Sequence, residues 1–90
     1  METLTKEQIA AAVAEALKQH FWKDMASLDM GAPCSVHGLD SLDMLELLFK
    51  VEEILGVCFK ENRSNGPYID LSLENFIEQL FVAGIDFRTP

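Results

Sequence analysis

The stretch Gly38 to Leu55, GLDSLDMLELLFKVEEIL, decides the fold. Gly38 marks a sharp turn, Asp40-Ser41 is a small polar pair suited to a helix start, and Ser41 to Leu55 then carries helical periodicity for about four turns. Met44, Leu48, Val51 and Leu55 recur at spacings of four, three and four, which predicts a stripe buried against a neighbouring helix. Leu42, Leu45 and Phe49 form a second apolar stripe alongside. Asp43, Glu46, Lys50 and Glu53 form a narrow polar third, with Glu52 on its own flank. A helix apolar over this much of its circumference either lies deep in a core or offers part of that surface to a partner. In a small domain the second use is open.

Upstream, Thr5-Lys6-Glu7-Gln8 fits a capping box, and a helix from Lys6 to Phe21 follows. Its apolar stripe is Ile9, Ala12, Val13, Ala16, Leu17, His20 and Phe21, with Glu7, Glu15 and Lys18 facing water. From Trp22 to Leu39 no period holds, and Gly31, Pro33 and Gly38 punctuate a long connecting loop. Trp22, Met25, Leu28, Met30 and Val36 are expected to tack that loop onto the helices.

Downstream, Gly56 ends the central helix. Val57 to Asp70 then reads as an irregular connection with a strong turn at Asn65-Gly66-Pro67. Glu61, Asn65 and Gly66 loosely suggest a calcium loop, but Arg63 sits at a ligand position and Ser72 replaces the closing glutamate, so that reading is set aside. Ser72 is a suitable N-cap for a last helix from Leu73 to about Val82, where Leu73, Phe76, Ile77, Leu80 and Phe81 make a clean amphipathic pattern. Gly84 ends it. No strand is expected, and residues 1–4 and 85–90 read as flexible tails of one domain spanning 1–90. The fold class expected is all-α, a bundle of three principal helices with long loops.

Ninety residues support one core and no second domain, which argues against a self-contained multi-substrate catalytic site. Fifteen acidic against seven basic residues give a net charge of -8, so nucleic acid and anionic membranes are disfavoured and basic protein partners are the complement. No signal peptide or membrane span is indicated, and a cytoplasmic monomer without membrane insertion is the expectation. Cys34 and Cys58 are read as reduced thiols, and together with the two histidines they show no zinc spacing.

Ser41 carries the chemical interest. A hydroxyl in the first turn of a helix stands beside unsatisfied N–H groups and the positive end of the helix dipole, a setting that suits a phosphate ester. The blander reading makes Ser41 or Asp40 merely an N-cap. A serine nucleophile is a third reading. It lacks a GxSxG elbow, and with His20 and His37 the only histidines, a triad would rest on proximity alone. His37, four residues from Ser41 in a loop, reads as structural.

Gly38-Leu39-Asp40-Ser41-Leu42-Asp43, followed by Leu45-Glu46-Leu47 and Val51-Glu52-Glu53, resembles the Asp-Ser-Leu attachment motif and second helix of the acyl carrier proteins. The resemblance is close over residues 36 to 59 and extends as helix pattern over most of the chain. It implies that Ser41 accepts the 4′-phosphopantetheine arm of coenzyme A from a phosphopantetheinyl transferase, and that acyl groups ride on the arm as thioesters. Asp40 would help the transferase position its metal and the incoming pyrophosphate. The carrier itself would have no catalytic residue and no metal of its own.

By the same resemblance, Asp43, Glu46 and Glu53 are docking residues for basic patches on acyl-transferring and chain-processing enzymes. Leu42, Leu45 and Phe49 are the apolar contacts beside them. Met44, Leu48, Val51, Phe76, Ile77 and Leu80 would line a cleft for the acyl chain, although such a stripe is equally plain core. Lys50 departs from the family's acidic stripe and is placed to pair with Glu46. His37 stands where the family usually has leucine, and the loop from Phe59 to Leu71 replaces the usual short third helix, leaving it short or missing. The resemblance implies fatty-acid synthesis as the general setting, and these departures suggest a dedicated carrier for lipopolysaccharide, another special lipid or a polyketide. An aminoacyl or peptidyl carrier is the nearest alternative, and an acidic helical adaptor without a prosthetic group is the alternative of another class.

Overall fold

The computed structural model of the protein describes residues 4–60 and 71–88. Its elements in chain order are α1 (Lys6–Phe21), two 3-10 turns (Met25–Ser27 and Cys34–His37), α2 (Ser41–Leu55), β1 (Val57–Phe59), α3 (Leu73–Ala83) and β2 (Ile85–Arg88). The Asn65-Gly66-Pro67 turn and the calcium-loop residues Glu61, Arg63, Asn65 and Gly66 lie outside the described residues.

Each helix begins where the sequence offers a side-chain acceptor. Thr5 and Gln8 form a reciprocal capping box on α1, and the Ser72 hydroxyl accepts from the Asn75 amide at 3.0 Å to start α3. α2 ends at Gly56 in the left-handed region, its N–H donating to the Glu52 carbonyl. α3 runs one residue past the expected Val82, to Ala83 before Gly84.

α1 is the packing hub, in close contact with both α2 and α3. Ile9, Ala12, Val13, Ala16 and Leu17 form its buried face, joined by Met44, Leu47 and Val51 of α2 and Leu73, Phe76, Ile77 and Leu80 of α3. Burying a Leu, Ile or Phe in such a core contributes roughly 1.5–3 kcal/mol relative to exposure. Leu48 and Leu55, expected in the buried stripe of α2 with Met44 and Val51, are only half-buried, and Leu47 takes a fully buried position. His20 and Phe21, assigned to the apolar stripe of α1, depart from it: His20 is exposed and Phe21 half-buried.

The connection from Trp22 to Leu39 is held differently from the expectation. Met25, Leu28 and Met30 do pack against the core, but Trp22 and Val36 are 90% and 69% exposed. Cys34 and Leu39 are the side chains that the segment buries. Backbone bonds fasten it to the start of α3: the Cys34 amide donates to the Leu71 carbonyl at 2.7 Å and the Glu74 amide to the Met30 carbonyl at 3.1 Å. A Pro33–Ser72 bridge completes the seam.

The expectation of no strand, with a flexible tail from residue 85, is corrected. β2 pairs antiparallel with β1, Val57 opposite Arg88 and Cys58 opposite Phe87, with an irregularity between Cys58 and Phe59. The Lys60 amide extends the pairing to the Gly84 carbonyl at 3.0 Å. The three-residue run Val57-Cys58-Phe59 buries Val57 and Phe59 and pairs its backbone with Ile85–Arg88, far along the chain, a pairing that no local pattern announces.

Candidate functional site

Ser41 is the first residue of α2, and its side chain is exposed. The turn before it depends on Gly38, whose φ of 79° lies in the left-handed region. A Cβ there would meet nothing within 4 Å, so conformation rather than space calls for glycine. Leu39 follows, fully buried, and anchors the loop so that Asp40 and Ser41 emerge at the surface.

The cap belongs to Asp40. Its Oδ1 accepts from the Asp43 amide at 2.8 Å, while Asp43 Oδ2 accepts from the Asp40 amide at 3.1 Å. Asp40 thus has extended backbone and a capping box of its own, and the Met44 amide completes the first helical bond to the Asp40 carbonyl at 3.0 Å. Among the described residues, Ser41 Oγ makes no hydrogen bond, and the amides of Ser41 and Leu42 have no partner. The hydroxyl therefore stands at the positive end of a four-turn helix with two amides unsatisfied beside it, a setting favourable to an attached or approaching phosphate.

Neither histidine serves this hydroxyl. His37 Nε2 donates to the Asp29 carbonyl at 3.0 Å, fastening the loop upon itself. His20 Nε2 lies 3.3 Å from Glu46 Oε2, so the end of α1 is joined to the polar stripe of α2. The expected pairing of Lys50 with Glu46 is corrected accordingly. Lys50 instead reaches Glu53 at 3.5 Å, because Glu46 is turned toward α1.

The remaining faces of α2 separate as the stripes foretell. Leu42 is 63% and Phe49 58% exposed, with Leu45 exposed between them. At 100° per residue, Leu42 and Phe49 lie roughly opposite the Met44, Leu47 and Val51 face, so neither can reach the core. Glu46 and Glu53 are exposed beside them and Asp43 is half-buried in its capping role. Glu52, on its own flank, is structural: its Oε2 accepts from the Phe59 amide at 2.8 Å and holds the start of the sheet against α2.

The six cleft candidates belong to one core. Met44, Val51, Phe76, Ile77 and Leu80 are buried and Leu48 half-buried against them. A separate open groove of about 550 Å³ lies between α1 and the following connection, floored by Ala11, Ala14, Met25, Leu28 and Met30. Sequence reasoning missed that groove because its walls come from a helix face of small residues and a segment without periodicity.

The thiols are both free. Burial pushes the Cys34 thiol up to about 11. Burial also raises the half-buried Cys58, with Glu52 and Asp86 adding to the effect because their negative charge disfavours a thiolate. No helix among the described residues is long and apolar enough to cross a membrane. The chain matches no family model, no curated protein and no solved structure.

Proposed function

We propose that the protein is an acyl carrier, modified at Ser41 with 4′-phosphopantetheine from coenzyme A. The observation that carries this reading is the division of labour at the start of α2. Asp40 and Asp43 cap the helix between them, leaving the Ser41 hydroxyl exposed, unbonded and next to two unpartnered amides. A serine retained only as a cap would be expected to make the capping bond itself.

When attached, the arm supplies a thiol that holds acyl groups as thioesters. The chain's own part is to present and tether. Ser41 Oγ displaces adenosine 3′,5′-bisphosphate from the pantetheine phosphate of coenzyme A on a transferase, which also takes up the serine proton. The Ser41 and Leu42 amides and the helix dipole favour the resulting phosphodiester. The capping contact occupies only one oxygen of Asp40 among the described residues, which leaves the other for the transferase's metal.

Leu42, Leu45 and Phe49, flanked by Glu46 and Glu53, support docking to enzymes whose apolar contact points are rimmed by Arg and Lys. Such charge pairing speeds encounter and weakens with salt, as transient exchange requires. The loop departures favour a dedicated pathway for a special lipid, lipopolysaccharide or polyketide. The cytoplasm, where coenzyme A is available, is the compartment this reading implies.

The test is incubation with coenzyme A, magnesium and a broad-specificity phosphopantetheinyl transferase, read by mass. The wild type gains one phosphopantetheine and Ser41→Ala gains none. An unmodified wild type would overturn the proposal in favour of an adaptor that carries no group.

A further inference from the structure

The open groove of about 550 Å³ beside α1 has the dimensions of a channel for a single chain. Its α1 side runs from Ala11 through Ala14 to Lys18, two helical turns and about 10.5 Å. Spread over that length, 550 Å³ gives a section of about 50 Å², about 7 Å across. That is narrower than a helix with its side chains, about 10–12 Å, and wide enough for an aliphatic chain. The floor is apolar, with alanine methyls on one side and Met25, Leu28 and Met30, half-buried against the core, on the other. Methionine side chains adapt their shape to an irregular apolar ligand.

The connection side of the groove is fixed by its own hydrogen bonds. Asp24 Oδ1 accepts from the Ala26 amide at 3.1 Å, Asp29 Oδ1 from the Gly31 amide at 3.0 Å, and the Met30 carbonyl from the Glu74 amide at 3.1 Å. A preformed apolar floor with few polar groups is the usual make of a ligand site. Its charged lining residues are the exposed Glu15, Lys18 and Asp24. Two carboxylates against one ammonium, on a chain of net charge -8, disfavour a free fatty acid and favour an uncharged occupant.

The groove also lies within reach of Ser41. His37 Nε2 donates to the Asp29 carbonyl at 3.0 Å, beside Met30, and Ser41 follows His37 by four residues, at most about 15 Å of chain. A phosphopantetheine arm has the bonds of about five extended residues, about 17 Å, and an acyl chain lengthens that reach. The core gives such a chain no comparable room: Met44, Val51 and Phe76 are fully buried, and a chain enters between them only by displacing them.

We propose that the groove between α1 and the following connection holds the acyl chain of the protein's own thioester, outside the helical core. The inference rests on the carrier reading. A thioester carries no charge for the lining carboxylates to repel. Tethering raises the effective concentration of the chain at the groove to the millimolar range, so a shallow, open site is enough to hold it. A partner enzyme then withdraws the chain without unpacking the helices.

The experiment loads Ser41 with a dodecanoyl arm, using a broad-specificity transferase and dodecanoyl-coenzyme A, and compares this form with the protein bearing the bare arm. Methionine methyl resonances are the readout, since Met25 and Met30 line the groove while Met44 lies in the core. The expected result is shifted methyl signals and contacts to the chain at Met25 and Met30, with Met44 unmoved. Ala11→Leu fills the groove from an exposed helical position that leucine suits, so the thermal midpoint holds and both responses fall at least threefold. Contacts at Met44 instead would put the chain in the core and overturn the proposal. Silence at every methyl, or equal responses in wild type and Ala11→Leu, would overturn it as well, and in each of these cases the loaded Ser41 leaves the carrier reading intact. A wild type that accepts neither coenzyme A nor its dodecanoyl thioester overturns the carrier reading and this inference together.

Discussion

Asp40 and Asp43 cap one another at the start of α2, through carboxylate contacts of 2.8 and 3.1 Å to each other's backbone amides. The pair takes the structural duty that Ser41 would otherwise carry. Asp40→Ala is therefore expected to lower stability by about 1 kcal/mol, and Ser41→Ala by less than about 0.5 kcal/mol. Urea unfolding followed by circular dichroism checks both, and a larger loss for Ser41→Ala would return the capping role to the serine.

Glu52 ties α2 to the sheet through the Phe59 amide at 2.8 Å in a partly buried setting. Replacing it with alanine leaves that amide unsatisfied unless water enters, at a cost of about 1–3 kcal/mol. The loss should be local. Hydrogen exchange is expected to accelerate at Val57 to Phe59 and Ile85 to Arg88 well before the helices respond. Uniform acceleration across the chain would argue that the sheet does not open as a separate unit.

The buried Cys34 thiol titrates at about 11 when folded and at its ordinary 9.0 when unfolded. The folded state therefore holds its proton where the unfolded state has lost it. Stability is full below pH 9 and falls as pH rises toward 11, by about 1.4 kcal/mol per pH unit. Unfolding free energies measured across that window should decline in the wild type and decline less in Cys34→Ala, with Cys58 leaving a residual slope of the same sign. Native thiol labelling should reach the half-buried Cys58 first and Cys34 only on opening.

His20 and Glu46 are each about half exposed at 3.3 Å, so water and salt screen much of their attraction. A double-mutant cycle with His20→Ala and Glu46→Gln should give a coupling below about 1 kcal/mol, reduced further at high salt. A coupling of several kcal/mol would mean that the pair is far less solvated than its exposure indicates.

Phe76 and Phe49 offer a direct contrast between core and surface. Phe76→Ala empties a fully buried site and should cost about 3–5 kcal/mol, whereas Phe49→Ala, at a position 58% exposed, should change stability by less than about 0.5 kcal/mol. Thermal unfolding of the two variants reads the difference. If Phe49→Ala proves strongly destabilising, the outward face of α2 is part of the fold and cannot be free for docking.

The sequence alone determined what local chemistry controls. Thr5, Asp40 and Ser72 mark helix starts, Gly56 and Gly84 mark ends, and three- and four-residue spacings separate the buried face of α2 from the exposed Leu42 and Phe49. Capping and periodicity act within a turn or two, so they can be read from neighbours in the chain. Which of two adjacent polar residues performs the cap could not be read, because Asp40 and Ser41 are both able to.

Only the tertiary structure decided the contacts between residues far apart. It paired Val57–Phe59 with Ile85–Arg88, turned Glu46 from Lys50 to His20, and buried Cys34 and Leu39 while leaving Trp22 in water. Each depends on where α1 seats the other helices, and a short strand or an aperiodic loop residue carries no local trace of the partner that closes over it. The exposed hydroxyl of Ser41 belongs to both levels: its place in the first turn is local, and its emergence at the surface rests on Leu39 being buried behind it.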